Sequence, residues 1–222
     1  MIEAGPEAVA RRMAAESLAA ADPTGWFERL YAAAGAGAAV VPWDRGHPHQ
    51  LLVQWAKGRT PVGGGRTALV VGCGPGHDAE YVAGLGFDTL AFDVSASAVR
   101  AATERFPGSL VEYVVADLFN LPPRWRAAFD LVVESCTVQS LPVTWRAEAV
   151  AAVTDLVGPG GMLVVIASAP LSAEPTDGPP WPLTRTEVDS FATGGLRPVR
   201  IDDVRDPGEP GVHRWLAEFR RP

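Results

Sequence analysis

This 222-residue chain is short of cysteine, of lysine and of long apolar runs, and each shortage closes off a class of protein. Its two cysteines, Cys73 and Cys136, have no companion ligands at metal spacing. They therefore make neither a disulfide framework nor a zinc site, and no metal is expected. No stretch approaches the ~20 apolar residues of a membrane span. The first 20 residues carry Glu3, Glu7, Arg11, Arg12 and Glu16 where a secretory leader needs an apolar core. The expectation is a cytoplasmic protein with no membrane contact. Clustered positive charge is also missing: the net charge is −7 and Lys57 is the only lysine. Nucleic acid is thus excluded as a partner, because phosphate binding needs grouped Lys and Arg.

What remains is ordinary globular material, with 47% hydrophobic and 20% charged residues. The length fits one domain over 1–222, monomeric by default and able to bury a substantial core. Residues 1–60 read as a helical cover. An Ala-rich helix over 3–20 is followed by Trp26-Phe-Glu-Arg-Leu-Tyr31, which starts after Asp22-Pro23-Thr24-Gly25. The Pro/Gly-rich run Val41-Pro-Trp-Asp-Arg-Gly-His-Pro-His49 reads as an ordered loop before a short helix, Leu51–Ala56.

From Thr67 the pattern alternates between strand and helix, which implies βαβ units and a parallel core over 67–222. Strands are expected at 67–71, 87–92, 111–116, 129–134, 162–167, 196–204 and 212–219. Helices are expected at 77–83, 95–105 (with Ser95 as N-cap), 143–157 and 184–193. The runs Leu131-Val-Val-Glu134 and Leu163-Val-Val-Ile166 barely alternate, as suits strands covered on both faces. Five prolines between 168 and 183, Pro175 among them, mark a loop.

Three strand ends carry candidate chemistry. Leu69-Val-Val-Gly-Cys-Gly-Pro-Gly-His-Asp78 runs a buried strand into Gly72, Cys73, Gly74 and Gly76 and opens a helix directly afterwards. Its G-x-G-x-G spacing differs from the G-x-G-x-x-G that aims a helix at a pyrophosphate, and so favours a ligand without phosphate. Asp93, in Ala91-Phe-Asp-Val94-Ser95, ends the next strand, where a carboxylate accepts from both ribose hydroxyls. Asp117 and Leu118 end the third, an acceptor for an adenine amino group and an apolar surface for its ring.

Together these strand ends resemble the S-adenosylmethionine-dependent methyltransferases, with Phe129–Glu134 and Leu156–Val165 similar to the fourth strand and the turn before the fifth. The resemblance implies a Rossmann-like, doubly wound, seven-stranded, mostly parallel α/β sheet of order 3-2-1-4-5-7-6 under the helical cover. It implies S-adenosyl-L-methionine as cofactor, S-adenosyl-L-homocysteine as product and a small-molecule methyl acceptor as partner. Val41-Pro-Trp-Asp-Arg-Gly-His-Pro48 further resembles the W-D-x-G-x-P segment of the thiopurine, halide/thiol and tellurite methyltransferases. By that resemblance Trp43 stacks near the methionine end or the transferred methyl and Trp26 lines the cover; the alternative for Trp43 is a core aromatic anchoring the N-terminal helix. At the fourth strand that group commonly has an Asp-Arg pair. This chain reads Glu134-Ser-Cys-Thr-Val-Gln139, without the arginine that anchors an anionic substrate.

The expected site therefore comprises Trp43, His47 and Glu134 as catalytic candidates. Trp26, Trp43, Gly72, Cys73, Gly74, Gly76, Asp93, Val94, Asp117, Leu118 and Glu134 are the cofactor candidates. His47 or His49 is the candidate base; Glu134 holds the methionine ammonium, orients the acceptor or caps a loop. Cys136 is a candidate thiol and Trp181 a candidate pocket wall. A sulfur acceptor is preferred, with O- or N-methylation of a natural product as the alternative. Outside the class stand a nicotinamide oxidoreductase and a non-catalytic cofactor-binding protein.

Overall fold

The computed structural model describes residues 5–57, 63–171, 178–209 and 211–222. Pro175, one of the expected loop prolines, lies outside them. The cover is α1 (Pro6–Ala19), α2 (Gly25–Gly35) and α3 (Gln50–Lys57). The core runs β1 (Thr67–Val71), α4 (His77–Gly84), β2 (Asp88–Asp93), α5 (Ala96–Arg105) and β3 (Glu112–Val115). It continues through β4 (Phe129–Ser135), α6 (Arg146–Asp155), β5 (Val157–Ser168), α7 (Arg185–Asp189), β6 (Arg197–Arg205) and β7 (His213–Arg220). The seven strands lie in the order β3-β2-β1-β4-β5-β7-β6, as expected. β7 is antiparallel to both β5 and β6.

The non-alternating strands are buried on both sides. On β5, Leu163 and Val165 join Val153, Phe191 and Phe219 on one face. Val164 and Ile166 join Leu52, Trp55, Ala79 and Val82 on the other. Since each fully buried aliphatic contributes ~1.5–3 kcal/mol, these two layers hold the sheet.

Three elements depart most from expectation. The helix expected over 143–157 begins with a 3-10 turn, Val143–Trp145, and ends at Asp155. β5 starts before the glycines rather than after them, because Phe129 already pairs with Val157. The register then slips between Phe129 and Leu131, and Gly158–Gly161 forms the irregular stretch. A Cβ on Gly161 would stand 2.7 Å from the Phe129 carbonyl oxygen, so glycine here serves strand approach. The helix expected over 184–193 is only five residues long; Thr184 and Glu187 close a capping box at its start.

One carboxylate pins α2 of the cover to α5 of the core. Glu28 of α2 accepts from Ser95 Oγ (2.7 Å), Ser97 N (3.0 Å) and Ser97 Oγ (2.7 Å) at the start of α5. Ser95 is the N-cap expected there, accepting from Ala98 N at 3.0 Å. Beneath this contact Ala14, Trp26, Leu30 and Ala98 are buried together.

Candidate active site

Parallel strands β1, β2 and β4 end at one edge of the sheet, and a cavity of about 460 Å³ opens there under the cover. That size is typical of small-molecule sites. The turn after β1 forms its floor. Gly74 has φ +49°, and a Cβ on it would stand 2.6 Å from Tyr31 Oη, so the cover itself requires glycine at this position. Tyr31 Oη accepts from Trp43 Nε1 at 2.8 Å. Trp43 in turn meets Trp26 edge-on, with ring centroids 5.9 Å apart. An aromatic arch thus spans the glycine turn, with Trp26 sealed and Trp43 39% exposed.

Asp93 is 6% exposed. Its Oδ2 accepts from Gly74 N and its Oδ1 from Ser95 N, each at 2.9 Å. Burial raises its pKa above the ordinary value against the pull of those two bonds. Asp117, at the end of β3, is exposed and accepts from Phe119 N at 3.0 Å; Leu118 beside it is buried. Gly72, Cys73 and Val94 also line the cavity, as do Trp26, Trp43, His47, Asp93, Asp117 and Leu118.

Two expected site residues do not line it. Gly76 caps α4 at φ +90°, and a Cβ there would stand 2.6 Å from Tyr113 Oη, so this glycine serves packing behind the turn. Glu134 is fully buried. Its Oε1 accepts from Thr137 N (2.7 Å) and Val138 N (2.9 Å), capping the turn that sets Thr137 against Gly72, while its Oε2 has no partner among the described residues. Of the roles open to Glu134, the structure shows the loop cap, made by Oε1. Burial pushes its pKa up to about 7, since desolvation outweighs the two N–H bonds. Trp181 likewise stands off the cavity: its N–H donates to the Gln139 carbonyl at 2.8 Å, and Pro179 and Pro180 form the wall instead.

The two candidate histidines differ in what their rings hold. His47 Nδ1 lies 2.9 Å from the Pro48 carbonyl, which only accepts, so Nδ1 carries the hydrogen and Nε2 keeps a lone pair. In His49, Nδ1 accepts from Leu51 N at 3.2 Å, which puts the hydrogen on Nε2. Burial lowers the pKa of His49, so it stays neutral.

Sequence reasoning missed the arginine at the far end. Arg214, the second residue of β7, is 6% exposed yet lines the cavity with Cys136, Ser168 and Glu209. Its guanidinium donates from Nε to Asp206 and from Nη2 to Glu209 at 2.9 Å. Nη1 donates to Ser168 Oγ at 2.7 Å. The cation absent from β4 is therefore supplied by another strand. The available signal was a charged residue beside Trp215 in a strand paired on both sides. Cys136, at φ +62°, places Sγ 3.9 Å from Arg214 Nη1. Burial pushes its thiol up to about 12, so it is no ready nucleophile.

A seven-stranded sheet with a reversed last strand, and a glycine turn and carboxylates at its strand ends, defines a Rossmann-like fold. Comparison with known proteins narrows this. The methyltransferase domain family matches residues 68–161. Thiocyanate methyltransferase 1 of Brassica oleracea is 27% identical over 187 residues, spanning 79% of this chain and 80% of that protein. The TehB-like S-adenosylmethionine-dependent methyltransferase of Corynebacterium glutamicum superposes with a TM-score of 0.60 at 21% identity, over 94% of this chain and 99% of that one. A protein solved for the conversion of a disulfide bond into a thioacetal group during echinomycin biosynthesis reaches 0.69 at 24% identity, over 87% and 92%. These findings support a class I S-adenosylmethionine-dependent methyltransferase.

The residues present fit that cofactor: the carboxylates Asp93 and Asp117 stand at two strand ends, Phe92 and Leu118 give the same cavity an apolar wall, and the rings of Trp26 and Trp43 line it as well. Among the described residues no helix is long and apolar enough to cross a membrane.

Proposed function

We propose that this protein methylates a small thiol or thiolate, with the cofactor held by the residues of the glycine turn and the strand ends. In this reading Asp93 accepts from the ribose hydroxyls, Asp117 and Leu118 take the adenine, and Trp26 and Trp43 cover the methionine end. The sulfonium supplies an electrophilic methyl group, so the protein's work is alignment and exclusion of water. Positioning of this kind is worth ~7–11 kcal/mol. His47 is the proton acceptor, because its ring leaves Nε2 free where His49 does not.

The observation that carries the sulfur preference is this choice of base. Imidazole is suited to proton transfer near neutrality. A thiol, with a pKa about 8.5, loses its proton to such a base far more readily than a phenol near 10. The likeness to a thiocyanate methyltransferase over four-fifths of each chain supports the same choice.

The test is a methylation screen with thiocyanate, aliphatic thiols, phenols and amines, read as S-adenosylhomocysteine formed. Turnover of sulfur acceptors at least tenfold above the others is expected. Turnover of phenols or amines with none for sulfur overturns the reading. A parallel titration with NAD should be silent; binding of NAD alone would return the oxidoreductase alternative.

A further inference from the structure

We infer that Arg214 is the acceptor-binding residue of this site, its guanidinium meeting the acceptor's sulfur and holding it as a thiolate. The inference rests on the thiol reading above and adds the group that recognises the nucleophile.

Arg214 is built in, not draped over the surface. Its backbone pairs with Ser168, the last residue of β5, so two strands fix where the side chain starts. Asp206, whose side chain is 1% exposed, closes off Nε, and Glu209 takes Nη2. Ser168 Oγ takes one hydrogen of Nη1. The other side of Nη1 faces Cys136 Sγ at 3.9 Å, so a sulfur atom already occupies one contact with this nitrogen at the cavity wall. A guanidinium locked on three sides cannot reorient, and its one further donor, the second N–H of Nη2, is fixed in place before the ligand arrives.

Charged groups face it from several elements. Asp206 and Glu209 of the β6–β7 turn face Arg214, and Glu209 also pairs with Arg45 of the cover loop. His49, from the same loop, is held neutral by burial. From the β4 side Cys136 faces it as a neutral thiol, with Glu134 and Asp78 acting on that thiol in turn. Two guanidinium groups stand against three carboxylates, Asp206, Glu209 and Asp78, so what attracts an arriving thiolate is local contact with the Arg214 nitrogens and not the net charge of the subsite.

In the reaction the acceptor thiol loses its proton to His47 and on to solvent. The sulfur lone pair forms the new S–C bond while the sulfonium C–S bond breaks. That bonding pair stays on the sulfur of S-adenosylhomocysteine. Arg214 takes no part in bond exchange; it lowers the pKa of the bound thiol and sets the sulfur's place.

The test uses Arg214→Lys, which keeps the charge and loses the fork, and Arg214→Gln combined with Asp206→Asn, which leaves no sealed lone charge. Thiocyanate, a soft sulfur anion, is titrated calorimetrically into each protein saturated with S-adenosylhomocysteine. Thiocyanate affinity should fall at least tenfold in both variants, with affinity for S-adenosylhomocysteine within twofold of wild type. With 2-mercaptoethanol as acceptor, the pH midpoint of kcat/KM should move up toward that of the free thiol. Unchanged thiocyanate affinity and midpoint overturn the inference, as does a parallel fall in S-adenosylhomocysteine affinity, which marks a structural role. If wild type binds thiocyanate through Arg214 yet methylates no thiol, the thiol reading fails and the anion subsite stands. If wild type binds none, the subsite itself is refuted.

Discussion

Glu134 sits sealed at the end of β4 with one oxygen bonded to two backbone N–H groups and the other without a partner among the described residues. Its pKa is carried from the ordinary 4.5 up to about 7. A raised folded-state value means that the native protein holds this proton more tightly than the unfolded chain. The associated stability is therefore complete below pH ~4.5 and is lost as pH rises through ~7. At 1.36 kcal/mol per pH unit the whole span is worth ~3 kcal/mol. Glu134→Gln keeps the oxygen that Thr137 and Val138 need and removes the titration. Urea unfolding of both proteins from pH 4.5 to 8 isolates the effect, since every other ionising group is common to the pair. The variant should gain ~3 kcal/mol relative to wild type across that range, in the direction of higher pH. A difference that stays flat, or grows toward low pH, would refute the burial argument.

Other outcomes follow from single contacts. Asp93→Ala should weaken S-adenosylmethionine binding more than Asp117→Ala, because Asp93 also holds Gly74 N and Ser95 N; equal affinities by calorimetry would sink the proposed pose. Gly74→Ala should cost at least ~1–3 kcal/mol, from positive φ and from a Cβ 2.6 Å from Tyr31 Oη. Tyr31→Phe/Gly74→Ala should recover part of that loss in thermal unfolding. Glu28→Ala removes three bonds between α2 and the start of α5 and should loosen the cover by ~1–3 kcal/mol, seen as faster amide exchange in α2 with β4 and β5 unchanged. Arg214→Ala alone should destabilise by ~3–5 kcal/mol by leaving Asp206 sealed and unpaired, whereas the neutralised double variant should lose far less.

Local sequence determined the sheet and much of the site. Strands covered on both faces must be apolar throughout, so β1, β4 and β5 were legible as runs. Ser95 announced a helix because only a short polar side chain caps one. Asp93 and Asp117 were legible because carboxylates at consecutive strand ends fall on one edge of a parallel sheet. Gly158–Gly161 misled, since glycines that end a helix and glycines that let two strands approach are identical in sequence; the Phe129–Val157 pairing decided between them. Glu134 and Gly76 misled for a related reason: adjacency to the ligand end says nothing about which way a side chain turns. Tertiary structure turned Glu134 inward to cap a loop and put Tyr113 where Gly76 has no side chain. It alone brought Arg214, 78 residues from Cys136, into the cavity. Side-chain direction and long-range charge pairing depend on the packing of distant segments, which a strand's own periodicity does not encode.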